Sequence, residues 1–200
     1  KIFACSLLIF NFSFLIPSFS QSNSIWYFGN GAGLDFSSGY AKPIHDGNLF
    51  TLEGCAAVCD EKGKMLFYTN GITVWNKFHK EMKNGEGLNG SISSTQSALI
   101  VPQPPPLSLP SSSGEGRRGR YFLFTTDEKA GEKGLCYSVI DVSLETGAVI
   151  KKNIPLLAPS TEKITAVQHA NGRDVWVIAH QWNFNNFYAF PVTSQGVGAP

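Results

Sequence analysis

No acidic residue occurs in the first twenty positions, and almost no segment repeats apolar residues at the three-to-four spacing of an amphipathic helix. The nearest to a helix, Lys77–Lys83, is short. Cysteine is limited to four residues with no CxxC pair, and no nearby His completes a tetrahedral set, which argues against a zinc framework. Neither a GxSxG elbow nor an HExxH pair is present, so the two commonest hydrolase signatures are missing. Charge of either sign is sparse and nearly balanced, at net +1 over 200 residues. That balance gives no electrostatic reason to expect nucleic acid or an anionic membrane as partner.

Apolar residues fill the start of the chain instead. Residues 2–19, IFACSLLIFNFSFLIPSF, follow a single Lys1 and read as the apolar region of a signal peptide. Ser18-Phe19-Ser20 places small residues where a peptidase reads, so residues 1–20 are expected to be a signal peptide cleaved after Ser20. The alternative is an N-terminal anchor, for which the run is near the lower length limit. Cys5 lies inside the run, which argues against a lipoprotein anchor. Cleavage removes one base and leaves 15 basic against 15 acidic residues, in an exported chain without stable membrane insertion. The chain does not begin with Met and stops in mid-pattern at Gly198-Ala199-Pro200, which reads as a fragment. Of the remaining cysteines, Cys55 and Cys59 are ~13 Å apart on one extended strand, too far to bridge each other. Either one pairing with Cys136, or three buried free thiols, fits an exported chain.

Most of what remains is strand and turn. Glu53–Asn76 (EGCAAVCDEKGKMLFYTNGITVWN) reads as three strands joined by turns at Asp60–Gly63 and Asn70-Gly71. The pattern recurs: Gln96–Val101, Tyr121–Thr125 and Leu135–Val142 form a second unit, and Glu162–Val167, Val175–Ala179 and Phe187–Val192 a third. The middle strands start at 65, 121 and 175, with fourth strands expected at Ala148–Lys152 and from Gly196. Periods of roughly 40–50 residues holding four antiparallel strands are the signature of propeller blades. The expected fold is all-β: residues 21–200 as an incomplete β-propeller, with about three four-stranded blades (units 53–91, 96–156 and 162–200) of a six- to eight-bladed ring. Trp26–Gly29 is read as a strand completing the last blade. Residues 103–120 (QPPPLSLPSSSGEGRRGR) form a Pro/Ser/Gly-rich insertion expected to be disordered. The glycine-rich run Gly29–Gly33 leads into no helical pattern, so a phosphate site is not expected.

Superposing the units places Glu53, Gln96 and Glu162 just before the innermost strand, with Thr95 and Thr161 beside the last two. These side chains, with His180 at the end of VWVIAH, are candidates for a ligand-binding channel rim, and Glu53 and Glu162 for a Ca²⁺ site. The alternative is a recurrent bond from each side chain to the backbone of the neighbouring unit. Of the tryptophans, Trp182 in the loop Gln181–Asn186 is expected to be exposed and Trp26, Trp75 and Trp176 mostly core. The turn Asp60–Gly63 lacks the Ser-x-Asp-x-Gly pattern of sialidase-type propellers.

The phrases WYFGNGAGLDFSSG (26–39), EGCAAVCDEKGKMLFYTNGITVWN (53–76), NGEGLNGSISSTQSALIVPQP (84–104), YFLFTTD (121–127) and TEKITAVQHANGRDVWVIAH (161–180) resemble the N-terminal propeller region of very large secreted Bacteroidetes surface proteins. The resemblance spans most of residues 26–197 and departs at the insertion. It implies PKD-type or Ig-like modules downstream, a type IX sorting domain and a place at the cell surface, but no catalytic residues. The expected role is recognition, adhesion or display, with an extracellular glycan or protein as partner. The alternative is a propeller lactonase or sugar hydrolase using Glu53, Glu162 and His180 around a channel metal.

Overall fold

The computed structural model describes residues 23–106 and 119–200. The expected signal peptide at 1–20 and most of the expected disordered insertion lie outside these residues. Within them, four small antiparallel sheets follow one another along the chain, no sheet closes on itself, and no helix forms. The first sheet holds β1 (Ile25–Phe28), β2 (Ala32–Asp35) and β3 (Lys42–Ile44); the second holds β4 (Ala56–Cys59), β5 (Met65–Thr69) and β6 (Val74–Asn76). The third is a meander of β7 (Ala98–Pro102), β8 (Arg120–Thr126), β9 (Leu135–Asp141) and β10 (Ala148–Leu157). The fourth runs through β11 (Ser160–Gln168), β12 (Val175–Gln181), β13 (Phe187–Thr193) and β14 (Gly196–Val197).

Two expectations are corrected. Ile25–Phe28 heads a three-stranded sheet of its own, pairing with Ala32–Asp35 and not with a later unit. The Glu53 unit keeps three strands, because the chain after Asn76 turns back through isolated bridges and no fourth ladder forms. Local chemistry explains the turns. Asn70 is buried, and its Oδ1 accepts hydrogen bonds from the backbone N–H of Ile72 and Thr73 while its Nδ2 donates to the Phe50 carbonyl. Gly71 follows at φ 87°, and a Cβ there would lie 2.7 Å from the Ser97 carbonyl oxygen, so this turn requires glycine on two counts. Lys77–Lys83 forms turns and bridges, with His79 at φ 59°.

Alternating side chains build three apolar layers, each between consecutive sheets. Tyr27, Leu49, Cys59, Met65, Tyr68 and Trp75 fill the first. Phe67, Val74, Met82, Leu88, Leu123 and Ile140 are central to the second. Phe122, Phe124 and Val139 meet Ile164, Val177 and Phe190 in the third. Phe67, Phe124 and Phe190 are almost fully buried, each contributing on the order of 2–3 kcal/mol by area removed from water.

A period-two strand has two faces, and the fourth sheet covers only one of them. Its other face carries Thr165 and Val167 on β11, Trp176 and Ile178 on β12, and Phe187, Ala189 and Pro191 on β13. Val167 is 50% exposed and Phe187 74%. The cross-strand row Val167–Trp176–Pro191 stands where the third sheet has Val101–Phe122–Val139, and Thr165–Ile178–Ala189 stands where it has Leu99–Phe124–Tyr137. In the third sheet those rows bury against the fourth.

The three described cysteines are free. Cys55 and Cys59 join the layer between the first two sheets, whereas Cys136 belongs to the third sheet, where its thiol bonds the Lys133 carbonyl. The expected alternative of a bond to Cys136 is therefore not formed, and burial pushes all three thiols up from their ordinary range.

Candidate functional site

The seam between the third and fourth sheets collects most of the residues singled out by sequence. Strand β11 starts beside the turn that precedes β7, which brings Glu162 opposite Thr95. Glu162 Oε2 accepts from the Thr95 backbone N–H at 2.7 Å and the Thr95 hydroxyl at 2.7 Å, and Oε1 accepts from the Lys129 N–H at 2.8 Å. Burial alone raises this carboxyl; the three donors, helped by the Lys163 charge, outweigh it and hold the group below its usual range. Gln96 returns the contact, its Oε1 accepting from the Ile164 N–H at 3.0 Å. Each sheet thus lends one side chain to the other's backbone. The second and third sheets are tied in a related way, with Ser97 Oγ donating toward the carbonyls of Gly54 and Asn70.

The other nominated residues are placed differently. Glu53 is exposed, and among the described residues its side chain makes no hydrogen bond or ion pair. Thr161 serves its own turn, accepting a long 3.4 Å bond from the Lys163 N–H. Glu53 and Glu162 share no ligand cluster: among the described residues no group of three or more His, Cys, Asp or Glu is placed to hold a metal ion. Of the two carboxylates expected to hold Ca²⁺, Glu162 already accepts from three donors, and the pair by itself supplies fewer oxygens than the cage Ca²⁺ takes.

Gln96 and His180 do come together. With Lys163, Ile164, Thr165, Ile178, Ala179 and Phe187 they line a cleft of about 240 Å³ at the end of the fourth sheet next to the seam. Ile164, Ile178 and Ala179 are its apolar elements, and the His180 ring packs on Phe187 at 4.7 Å between centroids. Lys163 is exposed and makes no salt bridge among the described residues. Because its Oε1 is taken by Ile164, Gln96 has its amide N–H groups as the donors left to face a ligand. The neighbouring turn Gln181–Asn186 exposes Trp182 and Phe184, with Asn183 at φ 61° making the reversal. Trp182 is exposed as expected; Trp26, expected in the core, is exposed as well.

Sequence reasoning missed Lys163 and Phe187. Their signal was present in the β11 and β13 alternation, which puts Lys163, His180 and Phe187 on the uncovered face. It also missed a network between the first two sheets. Tyr27 donates to Asp46 Oδ1 at 2.8 Å, Tyr68 Oη lies 3.1 Å from His79 Nδ1, and His79 Nε2 lies 3.7 Å from Asp46 Oδ2. Burial and the Asp46 carboxylate push the Tyr27 hydroxyl well above its ordinary range, so it remains a donor. No helix among the described residues is long and apolar enough to cross a membrane. No family model, curated protein or solved structure matches this chain.

Proposed function

We propose that the four sheets are consecutive blades of a β-propeller, and that the chain is part of an exported recognition or display module at the cell surface. The propeller reading is supported by the uncovered face of the fourth sheet, which repeats row for row the face by which the third sheet buries against it. Large exposed apolar faces mark interfaces. Trp26 and Phe28 give the first sheet an outward face of the same kind. In a ring of six to eight blades both faces are covered, because closure leaves no end sheet.

Recognition rests on a single observation, the turn Gln181–Asn186, which exposes the aromatic side chains of Trp182 and Phe184 at the end of the fourth sheet. The apolar residues 2–19 support export, and the resemblance to large Bacteroidetes surface proteins supports an extracellular glycan or protein as partner, alongside downstream modules of the same chain. Surface display is tested on intact host cells with an antibody raised against the chain, before and after external protease. Labelling that protease removes without lysis is the expected result. Labelling that appears only after lysis, with residues 1–20 still attached, overturns the proposal.

A further inference from the structure

A cavity of about 400 Å³ opens between the second and third sheets, away from the uncovered faces of the first and fourth. The two sheets that wall it are already packed together through the middle apolar layer, so further blades at either end leave it open. Leu66 of β5 and Met82, from the turns after β6, meet Val142 and Leu144 of the β9–β10 turn across its apolar part. Met82 is buried, whereas Leu144 at the rim is 71% exposed. The volume falls within the roughly 300–1,000 Å³ of pockets that hold small ligands.

One charge of each sign stands at the mouth. Lys77 Nζ lies 3.5 Å from Glu145 Oε1, and the two side chains are 39% and 73% exposed. The pair is longer than the roughly 2.7–2.9 Å of a charge-assisted hydrogen bond, and exposed pairs of this kind contribute little to stability. Among the described residues Glu145 has no other partner, and the Lys77 ammonium otherwise stands 4.9 Å over the Phe78 ring. Other bonds hold the walls. Asn76 Nδ2 donates to the Thr146 carbonyl at 3.2 Å, Asn84 Nδ2 to the Val149 carbonyl at 3.0 Å, and the Val149 N–H to the Lys83 carbonyl at 3.0 Å. The cavity therefore does not depend on the Lys77–Glu145 pair, and each charge can exchange its partner for a ligand group of opposite sign. Ser143, the remaining polar side chain at the site, already donates to Asp141 Oδ1.

We propose that this cavity binds a free α-amino acid with an aliphatic side chain, its carboxylate on Lys77, its ammonium on Glu145 and its side chain against Leu66, Met82 and Val142. A zwitterion matches the mouth because it brings both charges side by side, as the protein presents them, and adds no net charge. The apolar part of the cavity then takes the hydrocarbon tail. The proposal goes beyond the surface-recognition reading and does not rest on it. The test is calorimetric titration of the full chain with L-leucine and, separately, with leucinamide, N-acetyl-leucine and glycine, which lack in turn the carboxylate, the ammonium and the tail. L-Leucine is expected to bind about tenfold tighter than each of the three. Lys77→Ala is expected to remove the advantage over leucinamide, and Glu145→Ala the advantage over N-acetyl-leucine. Both positions are exposed, an unchanged thermal midpoint in each variant confirms folding, and the comparison of the four ligands needs no variant. No heat from L-leucine at millimolar concentration, equal binding of L-leucine and any of the three analogues, or preferences that survive both substitutions overturn the proposal. These failures leave the surface-display experiment untouched.

Discussion

Truncating Glu162 tests how the third and fourth sheets are held together. In Glu162→Ala three hydrogen bonds disappear, two from Thr95 and one from the Lys129 N–H, while the Gln96–Ile164 bond remains. Thr95 and Lys129 are exposed, so their freed donors find water, and each bond is worth the lower part of the usual range, roughly 0.5–1 kcal/mol. Three such bonds give about 2 kcal/mol, a fall of about 4–8 °C in the melting midpoint for a domain of this size. Acid supplies a second readout. The folded-state carboxyl is held below its unfolded value, so its contribution is complete above the unfolded pKa and is lost as pH falls through the lower folded value. The gap between wild type and Glu162→Ala therefore stays constant near neutrality and narrows below about pH 4.5. Thermal and urea unfolding of both proteins, with Glu53→Ala as an exposed carboxylate control, measure it. A loss no larger than that of Glu53→Ala, or a gap that does not narrow in acid, refutes the role assigned to this clasp.

Two further expectations concern the interior. Asn70→Ala removes the acceptor for two turn N–H groups and the donor to Phe50 at a buried position, and is expected to cost about 2–3 kcal/mol in urea unfolding; a cost under about 1 kcal/mol would show that the turn does not depend on this side chain. Because Cys55, Cys59 and Cys136 are unpaired with thiols pushed up by burial, native protein is expected to react slowly with a thiol reagent at pH 8 and denatured protein rapidly at these positions. A melting midpoint that falls on adding reductant would contradict the free state.

Which segments become strands was legible because it depends on neighbours in sequence. Met65–Thr69 and Val175–Gln181 carry β-branched and aromatic residues, Asn70-Gly71 supplies a turn whose bonds are local, and Ala148 and Gly196 begin fourth strands where expected. The all-β class, the recurrence of the units and the absence of helix among the described residues follow from such short-range chemistry. Sequence alone left open which way Glu162 points and what meets it, because its partners Thr95 and Lys129 lie 67 and 33 residues away. The superposition that aligned Glu53, Gln96 and Glu162 identified comparable positions, yet packing gave the three side chains different fates: one solvated, one bonded while lining a cleft, one clasped. The same holds for Phe187, whose exposure depends on whether another sheet covers its face. The sequence by itself determined the strands and their turns; only the tertiary structure decided which sheets face one another, since that choice rests on long-range burial that no local pattern encodes.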